Sequence, residues 1–306
     1  EGGYLINCAR GGIVDEPALA EAVADEVLAG AAVDVFAQEP IAPDNPLLAV
    51  DEIIVTPHLG ASTAAAQEKV ATTTADQVIA ALAERPVINA LNAPSVDETT
   101  FPRLRPYLEI AETAGTIATH LLDARVEAIE VRYEGEIAEE NVDLITASAQ
   151  QGVFRPLEWR VNAVNAPRIA EERGVDVVES KSRQSEDFQS LVTVTVSGAD
   201  RAVSVSGTLF AGTDPRIVKI DEFRVDAIPH GHMLVTRNRD KPGVIGLIGT
   251  VLGEHDINIA GMFNARETIG GQALTVYNLD EPVPEAVLEE IEADDRIVEA
   301  KYIALN

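Results

Sequence analysis

"YLINCARGGIVDEPALAEAVADEVLAGAAVDVFAQEPIAPDNPLLAVDEIIVTPHLGAST", residues 4 to 63, decides the fold. It carries three short apolar runs, "YLIN", "AAVDVF" and "IIVTP", and a helix-forming stretch between the first two. Short apolar strands alternating with helices indicate a parallel sheet with crossover helices, buried on both faces. The spacing predicts a helix from Asp15 to Ala29, with Asp15 as N-cap, Glu16 and Pro17 in the first turn, and Gly30 as the residue that ends it. Ser62 or Thr63 is expected to open the next helix. Residues 1 to 92 therefore read as α/β, the second half of a doubly wound, Rossmann-type parallel-sheet domain. Glu1 stands where a Met would begin a chain and a strand follows at once, so we expect an N-terminally truncated domain.

Outward from this stretch, "NAPSVDETTFP" from about Asn92 to Pro102 reads as a linker. Residues 93 to 231 read as an α+β domain. It has an amphipathic helix over 104–122, then "EAIEVRYEG", "VDVVESKSR", "SLVTVTVSG", "RAVSVSGTLF" and "RIVKIDEFRVDAIP", expected as an antiparallel sheet with helices on one side. Residues 232 to 306 repeat a strand, a helix from Val244 to about Glu254, two strands, a helix and a strand. This βαββαβ order is that of a ferredoxin-like unit.

The 306 residues hold 51 acidic against 23 basic side chains, a net charge of −28. Such a surface repels phosphate, which argues against nucleic acid and anionic membrane as partners. It also fits a salty cytoplasm, where a Debye length of ~3 Å at 1 M salt screens the self-repulsion. No run reaches the roughly 18 apolar residues of a membrane span, and the single cysteine, Cys8, excludes an intrachain disulfide. We expect a cytoplasmic protein, Cys8 as a small buried residue, and no metal site.

Arg10, Glu39 and His58 each follow one of the three strands, and loops at strand C-termini line the ligand crevice of an open parallel sheet. A guanidinium clamps a carboxylate through two hydrogen bonds. An imidazole takes a hydroxyl proton, and a carboxylate on its other nitrogen fixes the tautomer. Together they suit oxidation of a 2-hydroxy acid by loss of hydride. Taken singly, Arg10 also fits a strand cap, His58 a loop histidine and Glu39 a surface charge.

"NCARGGIVDEPAL", "AAVDVFAQEP" and "TPHLGAST" resemble the signature blocks of the D-isomer-specific 2-hydroxyacid dehydrogenases. The resemblance implies NAD as cofactor, Arg10 on the substrate, Glu39 paired with the acid/base His58, and Asp34, Ala9, His58 and Gly60 at the cofactor, with Asp34 on the nicotinamide carboxamide. The glycine-rich turn that seats the pyrophosphate has no counterpart here, and "GVIGLIG" at 243–249 lacks the acidic residue of a nucleotide site. Turnover by this chain alone is therefore not expected.

The middle segment resembles an intervening, allosteric substrate-binding domain also found in iron-sulfur serine dehydratases, which implies an anion site with Arg216, Lys219 and Arg224 as candidates. The last segment resembles an ACT domain, an amino-acid sensor. That resemblance implies Asp240 and Asn258, with Asn238 beside them, as effector contacts, L-serine as effector, and a homo-oligomer, dimer or tetramer. Asp240 also fits a plain helix cap and Asn258 a tight strand entry. The series implies oxidation of 3-phosphoglycerate, a small-molecule substrate, to 3-phosphooxypyruvate. A non-catalytic amino-acid-binding regulatory chain, or a dehydrogenase of other substrate range, are the alternatives.

Overall fold

The computed structural model describes residues 2–83, 87, 90, 99–158, 160–185, 187–199 and 201–305. Most of the expected linker, 92–98, lies outside them. The chain divides into two compact units, 1–85 and 86–306.

The first unit contains strand β1 (Gly3–Asn7), helix α1 (Glu16–Ala24), β2 (Leu28–Val33), β3 (Ile53–Val55) and α2 (Ala64–Leu82). β1 and β3 both pair with β2 in parallel, so all three strands end at the same edge. Leu19, Ala20 and Val23 of α1 pack on Ala31, Val33 and Ile53, with Phe36 and Leu47 completing the core. The opposite face carries the exposed side chains of Tyr4, Ile6 and Ile54, and α2 buries none of its own. Asp15 caps α1, accepting from the Ala18 amide at 3.0 Å, and Thr63 caps α2 in the same way. α1 stops five residues short of the expected end. Gly30 lies inside β2, where a Cβ would sit 2.8 Å from the Glu52 carbonyl oxygen and 3.2 Å from the Tyr4 ring. The glycine serves close strand packing, not helix termination. Cys8 is exposed, because β1 ends at Asn7 and leaves it on the following loop.

The second unit runs α3 (Phe101–Leu122), β4 (Ala128–Gly135), α4 (Asp143–Phe154), α5 (Ala166–Arg173), β5 (Asp176–Ser182), β6 (Ser190–Gly198), β7 (Arg201–Phe210), β8 (Asp214–Ile220) and β9 (Phe223–Ala227). It continues with β10 (His232–Arg239), α6 (Val244–Glu254), β11 (Ile259–Arg266), β12 (Gln272–Leu279), α7 (Glu285–Glu292) and β13 (Ile297–Ala304). The six-stranded sheet has the order β5-β4-β6-β7-β8-β9, and β5 runs parallel to β4, so the sheet is mixed and not antiparallel throughout. Its parallel pair follows from the crossover through α4 and α5, since a chain returning by way of helices re-enters in the same direction.

In the four-stranded sheet, β11-β12-β10-β13, the central strands β12 and β10 are buried on both faces, while β11 buries none of its side chains. Leu234, Tyr277, Leu279 and Ala300 pack under α6 and α7. Met233, Val235, Leu274, Val276 and Ile303 belong to the same core as α3, α4 and the six-stranded sheet. One face of the four-stranded sheet thus joins the core of the preceding segment, while the other has a core of its own under α6 and α7. Charge crosses the seam as well: Arg237 pairs with Asp221, Arg201 with Glu299 at 3.1 Å, and Lys301 with Asp123 at 2.7 Å. Among the described residues no helix is long and apolar enough to cross a membrane.

Helices α3 and α4 approach closely because glycines face the partner backbone. A Cβ on Gly152 would lie 1.8 Å from the Glu112 carbonyl oxygen, and one on Gly115 would lie 2.5 Å from that of Ala149. Gly152→Ala is expected to destabilise the second unit by about 1–3 kcal/mol, the usual range for overpacking, measured as a lower urea midpoint.

Candidate active site and effector region

The three loops after β1, β2 and β3 carry the residues singled out in the sequence. In the first, the buried Asn7 pins the turn: its Oδ1 accepts from the Ala9 amide at 3.1 Å and its Nδ2 donates to the Arg10 carbonyl at 3.4 Å. The Arg10 guanidinium is exposed and bonds locally, Nη1 to the Ala9 carbonyl at 2.6 Å. Gly11 allows this turn to lie against the second loop, since a Cβ there would sit 1.8 Å from the Phe36 carbonyl oxygen.

Glu39 and His58 meet directly. Glu39 Oε2 lies 2.8 Å from His58 Nδ1, and Glu39 Oε1 accepts from the Phe36 amide at 3.0 Å. The imidazole contact and the Phe36 amide hold the Glu39 carboxyl below its ordinary range. An ionised carboxylate can only accept, so Nδ1 carries a proton, and in the neutral imidazole Nε2 is then the acceptor. His58 sits at φ +56°, a left-handed conformation that a non-glycine side chain adopts when its surroundings impose it.

Asp34 imposes it. Its Oδ1 accepts from Thr56 Oγ1 at 2.6 Å and from the Leu59 amide at 2.8 Å, and its Oδ2 accepts from the Gly60 amide at 2.9 Å. These donors, Thr56 first, lower the Asp34 pKa against the opposing cost of burial. Oδ2 keeps one lone pair, which fits an amide N–H such as that of a carboxamide. Ala9 and Gly60 border the same loops, while Asn7 and Thr56 were not singled out in the sequence. Their signal was present: both lie in or beside the three matching blocks.

The effector candidates divide. Asn238 and Asp240 stand at the end of β10, whereas Asn258 precedes β11 beside the other end, where Leu279 pairs with His232. About 20 Å of strand separates the two positions at ~3.3 Å per residue. Asn238 is buried, donates to the Arg239 carbonyl at 3.0 Å and leaves Oδ1 without a partner. Asp240 accepts from the Gly270 amide at 2.9 Å and from Arg266 Nη1 at 2.8 Å, which lowers its pKa. It does not cap α6, whose N-cap is Gly243. The Asn258 side chain donates to Asp280 Oδ2 at 2.6 Å.

Of the anion candidates, Arg216 pairs with Asp214 and Asp226 at 2.7 and 3.4 Å, and Arg224 with Asp187 at 2.8 Å. Lys219 is exposed opposite Arg224.

Residues 1–60 match the D-isomer specific 2-hydroxyacid dehydrogenase, NAD binding domain. Residues 103–221 match the D-3-phosphoglycerate dehydrogenase intervening domain and residues 232–296 the ACT domain. The chain thus joins, in this order, a dehydrogenase NAD-binding segment, an intervening segment and an ACT segment. The D-3-phosphoglycerate dehydrogenase of Archaeoglobus fulgidus is 40% identical over 308 residues, covering 100% of this chain and 58% of its own length. That of Synechocystis sp. is 39% identical over 289 residues, 94% of this chain and 52% of its own. The chain thus spans about half the length of the curated relatives it matches. Among solved structures, a D-isomer specific 2-hydroxyacid dehydrogenase from Xanthobacter autotrophicus Py2, in complex with NADPH and MES, is 38% identical over 31% of this chain and 37% of its own, with a TM-score of 0.25.

The depressed Asp34 pKa gives a signed expectation. A carboxylate with a lowered folded pKa stabilises the fold fully above the ordinary Asp value, about 3.9, and loses that contribution as pH falls through the folded pKa. Asp34→Asn, which cannot accept from three donors, is expected to lower the melting temperature of the first unit at pH 7. The gap to wild type should close as pH falls below the ordinary Asp value, as followed by circular dichroism.

Proposed function

We propose that this chain provides the acid/base and regulatory parts of an NAD-dependent D-3-phosphoglycerate dehydrogenase, which oxidises 3-phosphoglycerate to 3-phosphooxypyruvate on the route to serine. The observation that carries the reading is the Glu39–His58 contact at 2.8 Å, made between loops at the C-terminal edge of a parallel sheet. His58 Nε2 takes the proton of the substrate hydroxyl, and Glu39 stabilises the resulting imidazolium through Nδ1. Arg10, whose guanidinium is exposed on the neighbouring loop, binds the substrate carboxylate in bidentate fashion. NAD, when bound, accepts the hydride; Asp34 and the Ala9 and Gly60 loops are the residues here that fit its nicotinamide end. The free lone pair of Asp34 Oδ2 supports that placement.

The last 75 residues bind L-serine as an effector in this reading. The unpartnered Oδ1 of Asn238, buried to 3% exposure, supports a polar ligand, because an orphaned buried acceptor is costly. A site built from Asn238, Asp240 and Asn258 together needs Asn258 from a second copy, which supports a homo-oligomer. The exposed Lys219, opposite Arg224, is the cation that favours an anion site on the six-stranded sheet. The lone free cysteine is in keeping with a cytoplasmic location.

His58→Ala in the intact enzyme is expected to lower turnover about a hundred- to ten-thousand-fold, far more than it lowers NAD affinity. An unchanged steady-state rate rules out the acid/base role. Calorimetric titration of this chain with L-serine is expected to show saturable heat, with none from D-serine, and Asn238→Ala is expected to weaken binding about ten-fold. Equal heats from the two enantiomers rule out a stereospecific sensor.

A further inference from the structure

Glu39 belongs to an irregular segment, 34–45, with little backbone pairing to hold it in place. Gln38, Glu39 and Pro40 are exposed, and Pro40 and Pro43 have no amide to donate. Val35 and Phe36 are buried at its start, and the polar ties of the exposed part beyond them come from α1. Glu16 Oε1 accepts from the Ala37 amide at 2.6 Å, and Glu16 Oε2 accepts from Asn45 Nδ2 at 2.6 Å. One carboxylate thus ties down both ends of the loop that carries Glu39. Asn45 is itself anchored, since its Oδ1 accepts from the Leu47 amide at 3.0 Å and Leu47 is fully buried. The Ala37 end continues into the bond between the Phe36 amide and Glu39 Oε1. Capping does not account for Glu16, because Asp15 already caps α1.

We propose that Glu16 is a positioning residue: it holds the Ala37–Glu39 backbone so that Glu39 stays on His58 Nδ1 and keeps Nε2 unprotonated for the substrate. The proposal rests on the reading of Glu39 and His58 as an acid/base pair. A carboxylate is needed because both partners are N–H donors. Glutamine would set its own NH2 against one of them. Charge-assisted bonds of this kind are about twice as strong as neutral ones.

The test reads the His58 tautomer directly and needs no turnover. The chain is labelled with 15N-histidine and the ring nitrogens are followed by NMR at pH 8, above the ordinary imidazole range. Wild type should be mostly protonated at Nδ1, and Glu39→Gln should shift the ring toward the Nε2-protonated form. Glu16→Ala and the near-isosteric Glu16→Gln should each shift the tautomer ratio the same way by about five-fold, the equivalent of one net hydrogen bond. Asp15→Ala, which removes only the helix cap, should leave the ratio unchanged. In a Glu39→Gln background, Glu16→Gln should add nothing. If Glu39→Gln shifts the tautomer and both Glu16 variants leave it at the wild-type ratio, the positioning role is overturned while the pair stands. A Glu16 effect that persists in the Glu39→Gln background overturns it too, because Glu16 would then act by another route. If Glu39→Gln itself has no effect, the underlying pair fails and the proposal with it.

Discussion

The Asp34 carboxylate is the constraint on which the candidate active site depends. It accepts a hydroxyl and two amides from a single loop, residues 56–60, and so forces the chain into the left-handed turn at His58. An extended backbone there would carry the imidazole away from Glu39. The carboxylate does this from the end of β2, a strand held between β1 and β3, so the loop is referenced to the middle of the sheet and not to a free edge. Rigid reference of this kind is what a proton acceptor needs, since catalytic geometry tolerates only small displacements.

The second unit solves a different problem, how to make the four-stranded sheet mechanically continuous with the six-stranded one. β10 alternates, Leu234 toward α6 and α7, Met233 and Val235 toward the core of the six-stranded sheet. The same alternation puts Arg237 on the seam and Asn238 beneath the helices. Arg237 is half of an ion pair with Asp221, on the turn between β8 and β9, and its guanidinium lies 5.8 Å over the Phe223 ring. Adjacent residues of one strand therefore face the helices, where the candidate effector residue Asn238 lies, and the interface. Burial of this pair costs desolvation, and its value lies in geometry more than in stability.

Much of this was legible in the sequence, for local reasons. The valine and threonine alternation from Val192 to Val196 is the burial pattern of β6 there, and Asp15 caps the helix it precedes. The three blocks after β1, β2 and β3 located Glu39 and His58 because the residue types and their strand-end positions agree. The remainder was set by contacts distant in sequence. Gly30 follows a helix-like run and reads as its end, yet the Tyr4 ring and the Glu52 carbonyl decide its place. The direction of β5 depends on the crossover through α4 and α5, which no pattern within "DVVESKS" records. α4 itself went unread, since its buried residues lie nearly all round it and leave no polar face to mark a helical period.

Glu16 shows why function is harder to read than fold. In the sequence it is a first-turn acidic residue, fully accounted for by the helix dipole. In the structure it bonds to an amide 21 residues on and a side chain 29 residues on. Nothing about its local pattern distinguishes the two roles, and only the closing of the 34–45 loop against α1 does. The residues that touch a substrate can be found by their chemistry, because few side chains can move a proton or clamp a carboxylate. Those that hold them in place are drawn from every polar type, and only a shared partner identifies them.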